Sequence, residues 1–428
     1  MVIVDRALAD REREGRPIRV GLIGAGVAGQ QIARQLLTPV AGVRLAAVAS
    51  RTETRARAAY GDAAPSAAYA RTLAGIEASV EAGAPVVCTD AALVTAAAGI
   101  DVVVEVTGTI GFAAEATTDA IRHRKHVVLV NAELDATLGP LLKARADEAG
   151  VVLTNTDGDE PGVAMTLLRY LRSVGLRPVA AGNLKGMLDR YRTPETQRAF
   201  AQALNQDPVK VTSFADGTKL AMEATLVANA SGFGIGQRGM YGPRCAHVRE
   251  MADRLPAEEM LATGLVDYAL GAEPHTGAFA IVHEPDALKR RDLAYFKLGD
   301  GPFYVFYTPY HLPHVQVVST IGRAVLFDDA TVAPQGAPVC EVVACAKRPL
   351  EAGAVLDGIG GFLTYGTIER AGTVARDRLL PIGLAAGCVL TRAVARDAAV
   401  SFDDVDVPPG RAIDALYAEQ RRRWPIAL

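Results

Sequence analysis

The densest chemistry in this chain lies at Thr154-Asn155-Thr156-Asp157-Gly158-Asp159-Glu160-Pro161-Gly162, after one apolar run and before a helical pattern. Three carboxylates in four positions can hold a divalent cation or move protons. They can equally form an acidic helix start, where Asp and Glu complement the dipole. Lys185 ends the run Val179–Leu184 and precedes Gly186. An ammonium there can polarise or protonate a carbonyl oxygen as a hydride arrives, or simply be solvated. Tyr310-His311-Leu312-Pro313-His314 puts two imidazoles in one turn, suited to acid, base or phosphate contacts near neutral pH. Arg244, in Tyr241-Gly242-Pro243-Arg244, either holds a phosphate or carboxylate or serves structure alone. Asp216-Gly217, between Val211–Ala215 and Lys219–Ala230, reads as a hairpin turn. Lys219 and Glu223 then share one face of a strand, Lys219 at the surface and Glu223 either there or beneath a substrate.

The elements that must position these groups start with Gly24-Ala25-Gly26-Val27-Ala28-Gly29. The apolar run Ile18–Ile23 before it predicts a buried strand. Val27–Leu37 after it predicts a helix, and Val43–Ala49 a second strand. In this βαβ frame Gly24 permits the tight turn, Gly26 the close approach of a pyrophosphate, and Gly29 the packing of helix on strand. The helix N-terminus adds unpaired N–H groups for the phosphates. The second strand ends in Ser50-Arg51-Thr52, with no acid before Glu53. A guanidinium and two hydroxyls suit a ribose 2′-phosphate, whereas the acid usual for NAD would repel it. The expected cofactor is NADP(H).

Apolar runs alternate with helical segments onward to Val151–Thr154, which predicts a doubly wound parallel sheet. Ligands bind beyond the carboxyl ends of such strands, so Thr107, Gly108, Asn131 and Ala132 are expected beside the cofactor. From about residue 179 the pattern becomes mixed and aromatic, and near Ala333-Pro334-Gln335-Gly336 it turns to short apolar segments with glycine turns. The expected fold is α/β, with a Rossmann domain over 1–178, an α+β substrate domain over 179–335 and a small all-β module over 336–428 that ends in a helix at Gly410–Arg423.

Composition narrows the function classes. The chain has 428 residues, half of them hydrophobic, and a net charge of −3. Nothing in that balance favours nucleic acid or an anionic membrane. Five scattered cysteines, without a CxxC pair, argue against a disulfide framework or structural zinc. Met1–Pro17 is highly charged and lacks the apolar core of a signal peptide, and the most apolar stretch is broken by Asp101 and Glu105. The expectation is a cytoplasmic protein.

The glycine turn, Thr89-Asp90 and Ile100–Gly108 resemble homoserine dehydrogenase. Asn131-Ala132-Glu133, Leu138-Gly139-Pro140, Gly158-Asp159-Glu160-Pro161, Asn229-Ala230-Ser231-Gly232, Met240-Tyr241-Gly242-Pro243-Arg244, Pro309-Tyr310-His311-Leu312 and Ala344-Cys345-Ala346-Lys347 resemble the deoxyxylulose-phosphate-reductoisomerase-like oxidoreductases. Those proteins are similar to homoserine dehydrogenase and carry a C-terminal SAF module, in which Gly358-Ile359-Gly360-Gly361 falls. The resemblance spans nearly the whole chain. It implies a homodimeric NADPH-dependent enzyme acting on a small polar hydroxy-ketone or aldehyde, phosphorylated or not. One member type makes methylerythritol phosphate from deoxyxylulose phosphate for isoprenoid biosynthesis, usually assisted by Mn²⁺ or Mg²⁺. Carried onto this chain, it puts Asp159 and Glu160 near substrate and metal, with Lys185, Asn183 and His311 facing the substrate. Glu223, Arg244 and Tyr310 complete the expected substrate contacts. Ala132 stands where homoserine dehydrogenase and ordinary reductoisomerases have lysine, so that amine is lost or replaced, for instance by Lys185. Two other readings remain: a homoserine- or semialdehyde-type dehydrogenase without isomerisation, and a non-catalytic NADP-binding sensor.

Overall fold

The computed structural model describes residues 3–425. Two compact units emerge, Met1–Asp159 with Leu312–Ala333, and Glu160–His311 with Pro334–Leu428. They cut the chain at other points than the expected boundaries after 178 and 335.

In the first unit, strands β1 (Ile18–Ile23), β2 (Val43–Ala49), β3 (Ala68–Tyr69), β4 (Val86–Cys88), β5 (Val102–Glu105), β6 (His126–Leu129) and β7 (Leu153–Asn155) make one sheet in the order β3-β4-β2-β1-β5-β6-β7. Every pairing is parallel. All of β1 but Arg19 is buried, as expected where helices cover both faces. The order reverses between β1 and β5, which opens a crevice at their carboxyl ends. The helix Val27–Leu37 buries Ile32, Ala33 and Leu36 in a core shared with Leu8 near the N-terminus and with Val317, Val318 and Ile321. This explains why the helix Pro313–Phe327 returns to the first unit. Its anchor is ionic as well. Arg323 Nη1 lies 3.0 Å from Asp157 Oδ2, and Asp157 N donates to Thr320 Oγ1 at 2.9 Å. One of the three clustered carboxylates is therefore committed to the fold.

Asp135, on the helix Ala132–Ala149, is 2% exposed and accepts a long 3.4 Å hydrogen bond from Asn155 Nδ2. Burial pushes its carboxyl to about 7, well above its ordinary 3.8. A raised value means that the folded chain binds the proton more tightly than the unfolded one. The associated stability is complete below pH 3.8 and is lost as pH rises toward 7. Asp135→Asn should therefore flatten the fall in melting temperature over that window and stabilise the protein at pH 8 by roughly 1–3 kcal/mol. Thermal melts across pH check this; a variant with the wild-type pH profile would refute the assignment.

In the second unit, β8 (Arg177–Lys185), β9 (Leu265–Leu270), β10 (Ala278–His283) and β11 (Phe303–Thr308) form a mixed sheet ordered β11-β10-β8-β9. Only β8 and β9 run parallel. The helix Glu160–Ser173 packs on β8 and β10. The expected hairpin around Asp216-Gly217 is instead two helices, Pro208–Ala215 and Thr218–Ser231. Asp207 caps the first, with Pro208 in its first turn. Gly217, at φ +89, turns the chain into the second. Every residue of Thr218–Ser231 except Lys219 is buried, which erased the amphipathic signature of a surface helix.

That helix also carries the C-terminal segment. Strands β12 (Cys340–Ala346) and β13 (Thr364–Arg370) pair antiparallel and pack on it. Asn229 Oδ1 accepts from Val339 N at 2.8 Å, and Thr218 Oγ1 from Gly366 N at 2.8 Å. A short antiparallel pair, β14 (Val389–Leu390) and β15 (Val405–Asp406), and the helix Ala412–Arg423 complete the segment. All five cysteines are buried and unpaired. Among the described residues no helix is long and apolar enough to cross a membrane.

Candidate functional site

The first unit presents a dinucleotide crevice whose three glycines differ in physical role. Gly24 has φ +109, and a Cβ there would lie 3.0 Å from Thr107 N. At Gly29 a Cβ would lie 2.1 Å from Gly24 O, so only glycine lets the helix approach the turn. At Gly26 a Cβ meets nothing within 4 Å. Nothing in the fold requires glycine at 26, and the open space there is what close approach of a pyrophosphate would need. Gly26 is also the helix N-cap and offers no side chain to the first-turn N–H groups, which suits them to phosphate. Ala25 is buried, whereas Val27 is exposed along the same turn.

Beyond β2, Ser50 N donates to Cys88 O at 3.2 Å. Thr52 caps the helix Glu53–Ala58 through its hydroxyl oxygen, leaving the hydroxyl proton to donate. Arg57 Nε holds Glu53 Oε1 at 2.8 Å. Arg51 is exposed and makes no ion pair among the described residues. Glu53 is thus engaged by Arg57, whereas Arg51 is not engaged in an ion pair among the described residues.

Beyond β5 the turn is set by Glu105, a residue of the Ile100–Gly108 stretch to which the sequence assigned no site role. Glu105 is fully buried, and burial pushes its carboxyl above the usual range. It accepts from Thr107 N at 2.7 Å and from Asn131 Nδ2 at 2.8 Å. Asn131 also donates to Thr109 O at 2.9 Å and caps Leu134 N at 3.1 Å. Both polar ends of Asn131 are engaged inside the unit, and Ala132 is wholly buried. Asn131 and Ala132 follow β6, and Thr107 and Gly108 follow β5, at the carboxyl ends of the sheet. A carboxylate closing an otherwise apolar strand was the available signal for Glu105.

The second unit gathers polar groups at the carboxyl end of β8. Asn183 and Lys185 lie two residues apart and share a face. Asn183 Nδ2 donates to Glu223 Oε2 at 2.9 Å, and Lys219 Nζ lies 3.3 Å from Glu223 Oε1. Lys219 and Glu223 meet because they are one helical turn apart, not through strand alternation. The Lys219 side chain is only 18% exposed, which corrects its expected surface role. Asn183 is 2% exposed, and its Oδ1 has no hydrogen-bond partner. Lys185 is half-buried and makes no ion pair among the described residues.

A second polar chain lies beside this one. Leu184 N donates to Gly277 O at 2.9 Å, which brings Thr276 to the end of β8. Gly277 has φ +102, and a Cβ there would sit 2.8 Å from Tyr310 N. Its absence lets residues 308–311 close on this loop. Thr276 Oγ1 lies 2.8 Å from His311 Nδ1, and Glu160 Oε1 lies 3.6 Å from the same nitrogen. Glu160 opens its helix, and Asp159 immediately precedes it as the last residue of the first unit. Tyr310 is exposed. Arg244 is exposed and paired through its backbone with Leu270. His314 belongs to the helix Pro313–Phe327 of the first unit, whereas His311 belongs to the second. Thr276 carried no sequence signal, since only the β8–β10 register delivers it.

Comparison with known proteins accords with both units. Residues 24–154 match the family model "Homoserine dehydrogenase, NAD binding domain". Residues 158–317 match "Oxidoreductase DRL, catalytic domain". No curated protein matches. Similar solved structures include a probable dehydrogenase from Thermotoga maritima, 14% identical over 62% of this chain and 72% of that one, with a TM-score of 0.36. Another is myo-inositol dehydrogenase from Lactobacillus casei in complex with NAD(H) and myo-inositol, 15% identical over 69% and 75%, with a TM-score of 0.37. The two consecutive family matches fall on the glycine turn and on the polar cluster after it, so the chain resembles an NAD-binding domain followed by an oxidoreductase catalytic domain.

Proposed function

We propose that the chain reduces a small polar hydroxy-ketone or aldehyde with NADPH, and that its specific reaction is conversion of deoxyxylulose phosphate to methylerythritol phosphate. The observation that carries the reading is the buried, unpartnered Asn183 Oδ1 beside the Glu223–Lys219 pair, on the face that also bears Lys185. A buried acceptor without a donor costs about 1–3 kcal/mol, and a hydroxylated substrate supplies that donor. When bound, the nicotinamide supplies the hydride that goes to the carbonyl carbon. The ammonium of Lys185 or Lys219 delivers the proton to the carbonyl oxygen. Glu223 fixes the Asn183 amide and pairs with Lys219. The Glu160–His311–Thr276 chain moves the hydroxyl proton of the substrate.

Within the second unit, the carboxylate of Glu160 and the imidazole of His311 would suit a divalent ion such as Mn²⁺ or Mg²⁺. Bound there, such an ion supplies the charge that stabilises a developing oxyanion. NADPH oxidation with deoxyxylulose phosphate, with and without Mn²⁺ or Mg²⁺ and with the product identified by mass spectrometry and NMR, tests the reading. Metal-dependent methylerythritol phosphate supports it. A plain dehydrogenase of the homoserine or semialdehyde type is the second reading, favoured by the family match over residues 24–154; a reduced but unrearranged product would establish it. NADPH binding without turnover of any carbonyl would favour a sensor.

Selection of NADPH over NADH rests on Arg51, with Glu53 held away by Arg57. Arg51→Ala should weaken NADPH binding about 10- to 100-fold, the size of a lost charge-assisted phosphate contact. NADH binding should change little. Fluorescence titration of both cofactors checks this, and equal losses for both would exclude Arg51 as the selector.

A further inference from the structure

We propose that a pocket in the second unit, walled by Arg190, Tyr268 and Thr367, is a binding subsite for a tetrahedral phosphate group. Assigning that phosphate to the substrate rests on the reading in the preceding section. The pocket is also lined by Gly217, Leu220 and Gly239, and Arg190, Tyr268 and Thr367 belong to no motif visible in the sequence.

Four observations converge on an anion. Arg190 makes no ion pair among the described residues. The neighbouring acid, Asp189, is held by Arg192 Nε at 3.0 Å, and the Arg190 guanidinium carbon lies 5.6 Å from the Tyr365 ring centroid. A Cβ at Gly239 would lie 2.9 Å from Thr367 Oγ1 and 3.2 Å from Arg190 Nη2. The guanidinium and the hydroxyl therefore converge on one spot, which glycine leaves open. The helix Thr218–Ser231 begins in the pocket wall at Gly217. That end of the helix carries a partial positive charge. Finally, Tyr268 is 6% exposed, and a Cβ at Gly242 would lie 2.2 Å from its hydroxyl oxygen. Burial and the Asp267 charge raise that hydroxyl, while the Arg190 and Arg244 charges pull it down.

The one acid in the wall, Asp216, does not oppose this. Lys347 Nζ lies 2.8 Å from its Oδ2, and Thr218 N donates to its Oδ1 at 2.9 Å. The uncompensated charge of the pocket is the Arg190 cation. The guanidinium of Arg190 and the hydroxyl-bearing Tyr268 and Thr367 come from three separate segments of the pocket wall, which fits the several oxygens of a phosphate better than a planar carboxylate. Position links the pocket to the chemistry. Tyr268 is the β9 partner of Asn183 in the parallel register, so both occupy one face of the sheet.

The test is calorimetric titration of the full chain with inorganic phosphate, in the presence of saturating NADP⁺ to block the dinucleotide crevice. One saturable phosphate site is expected. Arg190→Ala should weaken it at least about tenfold, Arg190→Lys less, and Thr367→Val by about two- to fivefold, in line with charged and neutral hydrogen bonds. Arg198→Ala, at an exposed arginine paired with Glu195, should leave it unchanged. Melting temperature and NADPH affinity identify any variant that misfolds, in which case Arg190→Lys and Thr367→Val decide. Absence of phosphate binding in the wild type, or wild-type binding in both Arg190 variants, overturns the proposal. Phosphate binding that depends on Arg190, without turnover of any carbonyl, keeps the subsite and removes the oxidoreductase reading. Turnover of deoxyxylulose phosphate with a KM indifferent to Arg190 does the reverse.

Discussion

Gly26→Ala should leave the fold intact and weaken NADPH binding about 10- to 100-fold, whereas Gly29→Ala should damage the fold itself. The difference follows from what each added methyl meets. Gly26 sits at φ −73 and ψ −168, an extended conformation open to alanine, and its Cβ has no neighbour within 4 Å. The apo protein tolerates the methyl, but a pyrophosphate approaching the helix N-terminus does not. Holding a phosphate even a few tenths of an ångström too far out loses several charge-assisted contacts, each worth about 1.5–3 kcal/mol. At Gly29 the methyl would stand 2.1 Å from the Gly24 carbonyl oxygen. Backbone cannot swing aside as a side chain can, so the helix must shift from β1 at a cost of about 1–3 kcal/mol or more. Thermal melts and NADPH fluorescence titrations of both variants separate these effects. Wild-type affinity in Gly26→Ala would mean that no dinucleotide phosphate passes over this turn.

The first unit was largely legible in the sequence because its signals are local. A buried parallel strand is a short apolar run, and β1, the glycine turn and the helix Val27–Leu37 fall where those runs and glycines predict. The second unit hid its site for two physical reasons. The helix Thr218–Ser231 is buried nearly all round, so its apolar pattern lost the 3.6-residue period and reads as a strand. A strand there puts Lys219 on the surface, although its i, i+4 spacing to Glu223 is in plain view. The other reason is distance along the chain. Thr276 reaches His311 only through the β8–β10 register and the bend at Gly277. Arg190, Tyr268 and Thr367 come from three separate segments. No spacing rule links such residues before the sheet is formed. The clustered acids show the same limit from the other side, since Asp157 matches its neighbours in type but is anchored to Arg323 by the fold.

Lys347→Met should be the most destabilising single change outside the apolar core, at about 3–5 kcal/mol, because it strands a buried charge. Lys347 is 5% exposed and Asp216 is fully buried, with 2.8 Å between Nζ and Oδ2. The ammonium also donates to Arg192 O and Gly361 O, each at 2.7 Å. It thereby ties the loop after β8, the start of β13 and the start of the helix Thr218–Ser231 to one point. Methionine fills the volume but leaves the Asp216 carboxylate and two carbonyls without their partner. The double variant Lys347→Met with Asp216→Asn removes the stranded charge and should recover part of the loss, since a buried pair costs less to delete than to break. Asp216→Asn alone leaves an unpaired ammonium and should also destabilise. Denaturant unfolding of the three variants forms a double-mutant cycle that measures the coupling directly. Additive losses would show that the two groups do not depend on each other. A large coupling would show that the C-terminal strands and the helix that carries Lys219 and Glu223 are held in place by this pair, and hence that the geometry of the candidate site depends on a residue that touches no part of it.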